Sequence, residues 1–152
     1  MLNNDYKEML EILLNEKVDF ILVGAYALAA HGFPRATGDI DIWVKPDHEN
    51  SRKTYSALIK FGAPISQIRE DEFNRDGIVF QIGVVPRRID IITAIDGVEF
   101  DEADEEKVML EVEDLKLPVI SVKMLIKNKK ATGREKDLLD AKLLEKNLNS
   151  RK

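Results

Sequence analysis

The stretch VGAYALAAHGFPRATGDIDIWV, residues 23–44, joins a glycine turn to a strand that carries two aspartates. The apolar run that ends at Gly24 is typical of a strand buried on both faces. In residues 39–45 apolar and polar residues alternate, which predicts a second strand with one apolar face. Because alternate side chains of a strand share a face, we expect Asp39 and Asp41 to project together, about 7 Å apart at their Cα atoms.

The segment between these two strands has the composition of a phosphate-binding turn. Residues 25–31 are rich in alanine and leucine, which predicts a short helix that ends at Gly32. A glycine at the end of a strand lets the backbone approach a phosphate, and the start of the next helix points its amides at the anion. The order of strand, Gly24, helix and aspartate strand therefore predicts that phosphate binds beside the two acids.

A third carboxylate interrupts another apolar strand. Asp90 lies between Ile89 and Ile91, and a buried carboxylate is costly unless it is paired or bound to metal. Three carboxylates from two neighbouring strands are what a two-metal centre for phosphoryl transfer requires. The alternative is that the Asp39 and Asp41 pair is solvated or bonded to a turn, because Asp-x-Asp alone is a weak pattern.

The remaining chain predicts an α/β (α+β) fold, with a mixed β-sheet flanked by helices and a short helical C-terminal end. We expect helices over residues 5–15, 46–61 and 134–148, and a short basic helix capped by Ser121. We expect hairpin strands over 78–85 and 87–93 and one extended stretch over 108–119. The expected organisation is a single domain over 1–152, with a core of about 18–120 and C-terminal helices of about 121–148.

Composition limits the function further. The 152 residues are 44% apolar and 34% charged, which suits one compact core. No apolar stretch approaches the roughly 18 to 20 residues of a membrane span, and the N-terminus lacks signal-peptide order, so we expect a cytoplasmic protein without membrane contact. The absence of cysteine and the presence of only two histidines mean that any metal is held by oxygen. A net charge of −5 argues against coating of a nucleic-acid backbone.

The C-terminal part of the chain supplies cations. Those that could neutralise a triphosphate are Lys123, Lys127, Lys130 and Arg134. Lys127 and Lys130 are three residues apart and would share a helix face. The alternative is a solvated basic helix end. Asp137 and Asp140 are expected to hold Arg134 in place rather than to bind metal.

Several other residues have both a functional and a structural interpretation. Arg35 and Thr37 precede the aspartate strand and could orient phosphate or the acceptor, or could be solvated. Trp43 shares the face of the two aspartates and could stack on a base, although a lone tryptophan is more often part of a core. His31 is expected to be structural. The acidic run over 99–114 is expected to be a solvated edge.

Together these motifs resemble those of a known superfamily. The run Val23 to Gly32, followed by Arg35, Thr37 and Asp39-Ile40-Asp41, is similar to the signature of the polymerase-beta-like nucleotidyltransferases, and Asp90 matches their third carboxylate. A second set of residues resembles the C-terminal helices of the AbiEii-like branch, which includes toxins of toxin and antitoxin pairs. This set is Lys127, Lys130, Arg134, Lys136, Asp137 and Asp140.

The resemblance implies transfer of NMP from an NTP to a hydroxyl group. It implies two Mg²⁺ ions, with Mn²⁺ as a substitute, held by Asp39, Asp41 and Asp90, the last of which would activate the acceptor. The residues that it implies for nucleotide binding are Gly24, Ala25, Arg35, Thr37, Lys127 and Arg134. Many members carry Gly-Ser or Gly-Gly where this chain has Gly24-Ala25, so a hydroxyl that could bind the triphosphate is missing.

The sequence leaves the acceptor and the partners open. The acceptor could be a small molecule, a tRNA or a protein, and a cleft between copies in a homo-oligomer could bind it. A toxin would have an antitoxin protein as its partner. The alternative to an enzyme is a catalytically degenerate nucleotide-binding or protein-interaction module of the same fold, which the alanine at position 25 suggests.

Overall fold

A computed structural model describes residues 2–33 and 38–150 as one β-sheet and six helices. The strands are β1 (Phe20–Val23), β2 (Asp39–Val44), β3 (Val79–Ile82), β4 (Arg88–Ile92), β5 (Val108–Val112) and β6 (Leu115–Val119). The helices are α1 (Asn4–Asn15), α2 (Gly24–Ala30), α3 (His48–Phe61), α4 (Phe100–Glu106), α5 (Val122–Thr132) and α6 (Glu135–Ser150).

The six strands form a mixed sheet in the order β3-β4-β2-β1-β6-β5. In the centre β1 is antiparallel to β2, while β2 is parallel to β4 and β1 is parallel to β6. At the edges β3 pairs antiparallel with β4, and β5 pairs antiparallel with β6. The predicted mixed sheet and the predicted hairpin of β3 and β4 are confirmed.

Local signals fix the ends of the predicted helices. The Asp47 side chain accepts a hydrogen bond from the backbone N–H of Asn50 at 2.7 Å and so caps α3, which ends at Gly62 in the left-handed region at φ 87°. The Ser121 hydroxyl accepts from the backbone N–H of Met124 at 3.1 Å and caps α5 as predicted. Gly133, at φ 69°, separates α5 from α6.

The core lies against the central strands. All four residues of β1 are buried, which agrees with its continuous apolar run. Helix α1 buries Tyr6, Met9, Leu10 and Leu13, which recur at helical spacing on one face. The described residues contain no helix that is long and apolar enough to cross a membrane.

Two segments differ from the prediction. The single extended stretch expected over 108–119 is a hairpin, because Glu113 and Asp114 adopt left-handed φ values of 47° and 68° and reverse the chain. The acidic segment includes helix α4, which the sequence analysis did not predict. Phe100 and Ala103 are three residues apart and buried, while most acids around them are exposed. Part of the acidic run that was expected to be a solvated edge is thus the exposed face of a helix that packs on the core.

Candidate metal centre

The strand register brings the three predicted carboxylates together. Asp39 and Asp41 share one face of β2, and the parallel pairing of β2 with β4 places Asp41 directly opposite Asp90. One oxygen from each of the three carboxylates lies within 4.8 Å of the others. The sequence predicted the Asp39 and Asp41 pair because the two-residue period of a strand fixes which side chains share a face. Asp90 was predicted to join them from its place in an apolar strand and from the resemblance.

Burial makes this concentration of negative charge costly. Asp90 is buried, and Asp39 and Asp41 are half-buried. Burial, followed by the charges of Asp39 and Asp90, raises the pKa of Asp41 to about 7. The raised pKa shows that the native triad favours an added positive charge, either a proton or a cation.

Arg88 supplies a positive charge to the triad. Its Nε donates to Asp90 Oδ1 at 2.9 Å, and its Nη2 donates to Asp90 Oδ2 at 3.2 Å and to Asp39 Oδ2 at 2.9 Å. No role was predicted for this arginine from the sequence. Its position two residues before Asp90 was the available signal, because that spacing places both side chains on one face of β4.

Gly24 allows Asp41 to lie against the backbone at the start of α2. Its φ is +71°, a conformation that costs a residue with a Cβ more than it costs glycine. A Cβ at this position would overlap Asp41 Oδ2 and would lie 3.2 Å from Asp41 Cγ. The predicted glycine turn therefore fits closely around a carboxylate of the triad. Ala25 follows it and is half-buried.

A cleft of about 310 Å³ opens beside the triad. The cleft is lined by Gly24 and Asp41, and by Lys129, Thr132 and Arg134 from the junction of α5 and α6, which we call the cationic wall. Asp96 and Asp137 also line the cleft. The cleft thus combines one carboxylate of the triad with two nearby cations, a combination that suits a metal-bound phosphate chain.

A buried ionic network holds the cationic wall. Asp137 accepts from Arg134 Nε at 2.8 Å and from the Thr132 hydroxyl at 2.8 Å. Lys129, with a side chain only 12% exposed, lies 3.4 Å from Asp137 and 3.3 Å from Asp140. The predicted pairing of Arg134 with Asp137 is confirmed, and Lys129 is a cation that the sequence analysis did not select.

The pH dependence of this network is predictable. Burial acts to raise the pKa of Asp137, but hydrogen bonds from Thr132 and Arg134 and the charge of Lys129 outweigh it and lower the pKa. A lowered native pKa contributes stability that is present above the unfolded pKa and is lost as the pH falls through the native value. Asp137→Asn is therefore expected to lower the free energy of unfolding by about 1–2 kcal/mol at pH 7 and by less at pH 3.

Urea denaturation of Asp137→Asn and the wild type at the two pH values measures this difference. Glu135→Gln is the matched control, because this exposed residue lies in the same first turn of α6 and is expected to change stability by less than about 0.5 kcal/mol. A loss in Asp137→Asn that is as large at pH 3 as at pH 7 would show that the pairing is not electrostatic.

Lys127, which was predicted to bind nucleotide, faces helix α4 and not the triad. Its ε-amino group lies 2.6 Å from Glu102 Oε2 on α4, and it does not line the cleft that contains Asp41. Helix α5 instead turns Lys129, two residues further on, into the cleft. Arg35 and Thr37, also predicted to contact nucleotide, lie outside the described residues.

The structure favours the structural interpretation of Trp43 and His31. Trp43 is 1% exposed, and its ring packs edge-on against Phe100 with ring centroids 5.1 Å apart. The imidazole Nε2 of His31 lies at hydrogen-bond distance, 2.8 Å, from the backbone carbonyl of Ile120. Both residues thus connect parts of the core around the site.

Tyr6 contacts the backbone of β4, the strand that carries Asp90. Its hydroxyl donates to the Arg88 carbonyl oxygen at 3.0 Å, and its ring packs edge-on against Tyr26. Burial, with contributions from Tyr26 and Asp39, raises the pKa of Tyr6 to about 12, so it stays a protonated donor. The spacing of apolar residues indicates that Tyr6 is buried on one face of its helix. It gives no indication that Tyr6 contacts Arg88, which lies 82 positions further along the chain.

Comparison with known proteins supports the fold. No protein-family model matches this chain, and no curated protein sequence matches it. The structure is similar to a crystal structure from Thermotoga maritima described as a "putative nucleotidyltransferase", with a TM-score of 0.60 and 20% sequence identity over 99% of this chain and 96% of that one. The predicted nucleotidyltransferase fold is confirmed. Membership of the AbiEii-like branch stays a prediction.

Proposed function

We propose that this chain is a single-domain, magnesium-dependent nucleotidyltransferase that moves NMP from an NTP to a hydroxyl group of an acceptor. The observation that carries the proposal is the carboxylate triad of Asp39, Asp41 and Asp90, with oxygens within 4.8 Å, of which Asp41 lines a cleft that Lys129 and Arg134 also line. The nucleotidyltransferase fold is consistent with this chemistry, but fold alone does not assign it.

The residues present fit a divalent metal. All three ligands would be carboxylate oxygens, which Mg²⁺ and Mn²⁺ prefer. A Cβ at Gly24 would overlap Asp41 Oδ2, so the glycine leaves room for this carboxylate, and burial raises the pKa of Asp41. Asp39 and Asp41 would hold both ions and Asp90 one of them. When bound, the metal neutralises phosphate charge and polarises the reacting oxygen.

The protein's own groups then bind and orient the reactants. Arg134 and Lys129 hold the triphosphate on the cationic wall of the cleft. The acceptor oxygen forms a bond to the α-phosphorus, and the bond from that phosphorus to pyrophosphate breaks. In this proposal Asp90 receives the proton of the hydroxyl.

Two of the cations predicted to bind phosphate, Arg134 and Lys127, are expected to behave differently. Arg134 lines the cleft with a side chain that is 76% exposed, so Arg134→Met removes the proposed phosphate contact, together with the hydrogen bond to Asp137. We expect it to weaken binding of magnesium and ATP by about tenfold, the value of one charge-assisted hydrogen bond. Lys127→Met is the matched control and is expected to change affinity less than about twofold, because Lys127 pairs with Glu102 instead.

Calorimetric titration of both variants with ATP in the presence of magnesium measures these affinities. Equal losses in the two variants would mean that the phosphates lie nearer α4 than the cleft suggests. No loss in either would place the triphosphate on other groups, such as the predicted Arg35 and Thr37.

The reaction itself is tested by a product search. Wild-type protein is incubated with magnesium, each of the four NTPs and acceptors of three classes, namely small hydroxyl compounds, tRNA and proteins. Mass spectrometry is expected to detect an acceptor heavier by one NMP, with release of pyrophosphate. NTP binding without transfer to any class would favour the catalytically degenerate module, which the missing hydroxyl at Ala25 also favours.

A toxin role is a more specific version of the proposal. It requires that expression of the chain slows growth, that Asp39→Ala restores it, and that an antitoxin partner suppresses it. Normal growth on expression of active enzyme would separate the transferase from a toxin.

A further inference from the structure

Arg88 hydrogen-bonds two of the three carboxylates that would hold a metal. Its guanidinium hydrogen-bonds both oxygens of Asp90 and Oδ2 of Asp39, at distances of 2.9 to 3.2 Å. A carboxylate oxygen can accept a hydrogen bond and bind a cation at once. A divalent ion on these oxygens would, however, lie close to the guanidinium, and the two positive charges would repel each other in a partly buried site.

The side chain of Arg88 can move without disturbing the sheet. It is 28% exposed, so the guanidinium has a path to solvent. Its backbone is fixed independently, because the Arg88 carbonyl accepts from Tyr6 and β4 pairs with both β2 and β3. The side chain can therefore swing out while Asp90 stays in register with Asp41.

We propose that Arg88 is a built-in counter-ion of the triad that competes with divalent metal, so that metal binds by displacing the guanidinium from Asp39 and Asp90. The inference rests on the proposed function, since it requires that the triad binds metal. Arg88 stabilises the metal-free site by neutralising part of its charge, and it lowers metal affinity by the same contacts. It is a residue that tunes the site rather than a metal ligand.

The opposite role predicts the opposite result. If Arg88 served only as a brace that aligns Asp39 and Asp90, its removal would misplace two ligands and weaken metal binding. If it competes, its removal frees those oxygens and strengthens metal binding. The sign of the change in affinity therefore separates the two roles.

The decisive experiment is calorimetric titration of the nucleotide-free protein with Mn²⁺. Arg88→Met keeps the aliphatic stem and removes the charge, and it is expected to bind Mn²⁺ about tenfold more tightly than the wild type. Arg87→Met makes the same change in charge at the exposed neighbouring position and is expected to match the wild type. Equal or weaker Mn²⁺ binding by Arg88→Met would overturn the proposal and leave the proposed function intact.

A measurement on the wild type keeps the test valid if Arg88→Met folds poorly. The Arg88 Nε–H donates to Asp90, and its ¹⁵N NMR signal, assigned by its loss in Arg88→Lys, is expected to shift and lose exchange protection on addition of Mg²⁺. A signal that stays protected at saturating Mg²⁺ would refute displacement. If neither wild type nor Arg88→Met binds Mn²⁺, the proposed metal-dependent function fails, and this inference with it.

Discussion

Replacing Asp39 and Asp41 together by asparagine is expected to abolish magnesium-dependent binding of nucleoside triphosphates. The two side chains share one face of β2 and supply two of the three carboxylates of the triad. Asparagine keeps their size and part of their hydrogen bonding but removes two negative charges. Loss of partners that only support metal ligands costs about 10- to 100-fold in affinity, so loss of two ligands is expected to cost more than about a hundredfold.

Calorimetric titration with ATP, with and without magnesium, measures this loss. The control Asp5→Asn/Asp71→Asn changes the net charge equally at two exposed positions and is expected to bind as the wild type does. Magnesium-dependent binding that survives in Asp39→Asn/Asp41→Asn would exclude the triad as the metal site and would remove the basis of the proposed transferase.

The same variant separates loss of function from loss of structure. Because the native pKa of Asp41 is raised to about 7, the native protein binds a proton more readily than the unfolded chain between about pH 4 and pH 7. The metal-free wild type is therefore expected to lose stability as the pH rises through this window. The variant lacks this penalty, so its thermal midpoint relative to the wild type should be higher at pH 8 than at pH 5.

The Asp39 and Asp41 pair and the unusual position of Asp90 could be predicted from the sequence because both are local patterns. Strand periodicity places Asp39 and Asp41 on one face, and an acid inside the apolar run of β4 is costly without a partner. Gly24 could be predicted for the same reason, since a strand that ends in glycine before a helix is a local pattern. The pairing of β2 with β4 then brings Asp90 opposite Asp41.

The cationic wall could not be predicted to the residue. Helix α5 carries several lysines, and which one enters the cleft depends on how the helix packs on α6 and on the sheet. Lys129 forms ion pairs with Asp137 and Asp140, which lie 8 and 11 positions further along the chain. Lys127 forms an ion pair with Glu102 on α4 instead. A charge pattern predicts that helix α5 has a basic surface. It does not predict how the helix is rotated about its axis, and therefore not which lysine enters the cleft.

Long-range contacts could not be predicted from the sequence for a related reason. Tyr6 reaches the carbonyl of Arg88 across 82 positions, and helix α4 is defined by the packing of Phe100 on Trp43 rather than by its acidic composition. The reversal between β5 and β6 uses Glu113 and Asp114 in the left-handed region, where glycine or asparagine is the usual signal. Each contact or turn is set by the assembled sheet.

Gly24→Ala is expected to have the second large effect, because it displaces a metal ligand without changing any charge. The new Cβ would overlap Asp41 Oδ2, and the neighbouring atoms, Cγ and Cβ of Asp41, lie at 3.2 and 3.3 Å, so the whole side chain must move. Alanine at φ +71° costs a further 1–2 kcal/mol or so in backbone strain. We expect magnesium-dependent ATP binding to fall by more than about tenfold, since ligand geometry is held within about 0.5 Å in preorganised sites.

Gly62→Ala is the matched control for backbone strain. Gly62 has a φ of +87° at the end of α3, and a Cβ there would meet no atom within 4 Å. Both variants should lower the thermal midpoint by a few degrees, but only Gly24→Ala should lose metal and ATP affinity in calorimetric titration. If Gly24→Ala retains wild-type affinity, Asp41 can bind metal from a different rotamer. Equal losses of affinity in the two variants would mean that general destabilisation, and not the contact with Asp41, explains the requirement for glycine.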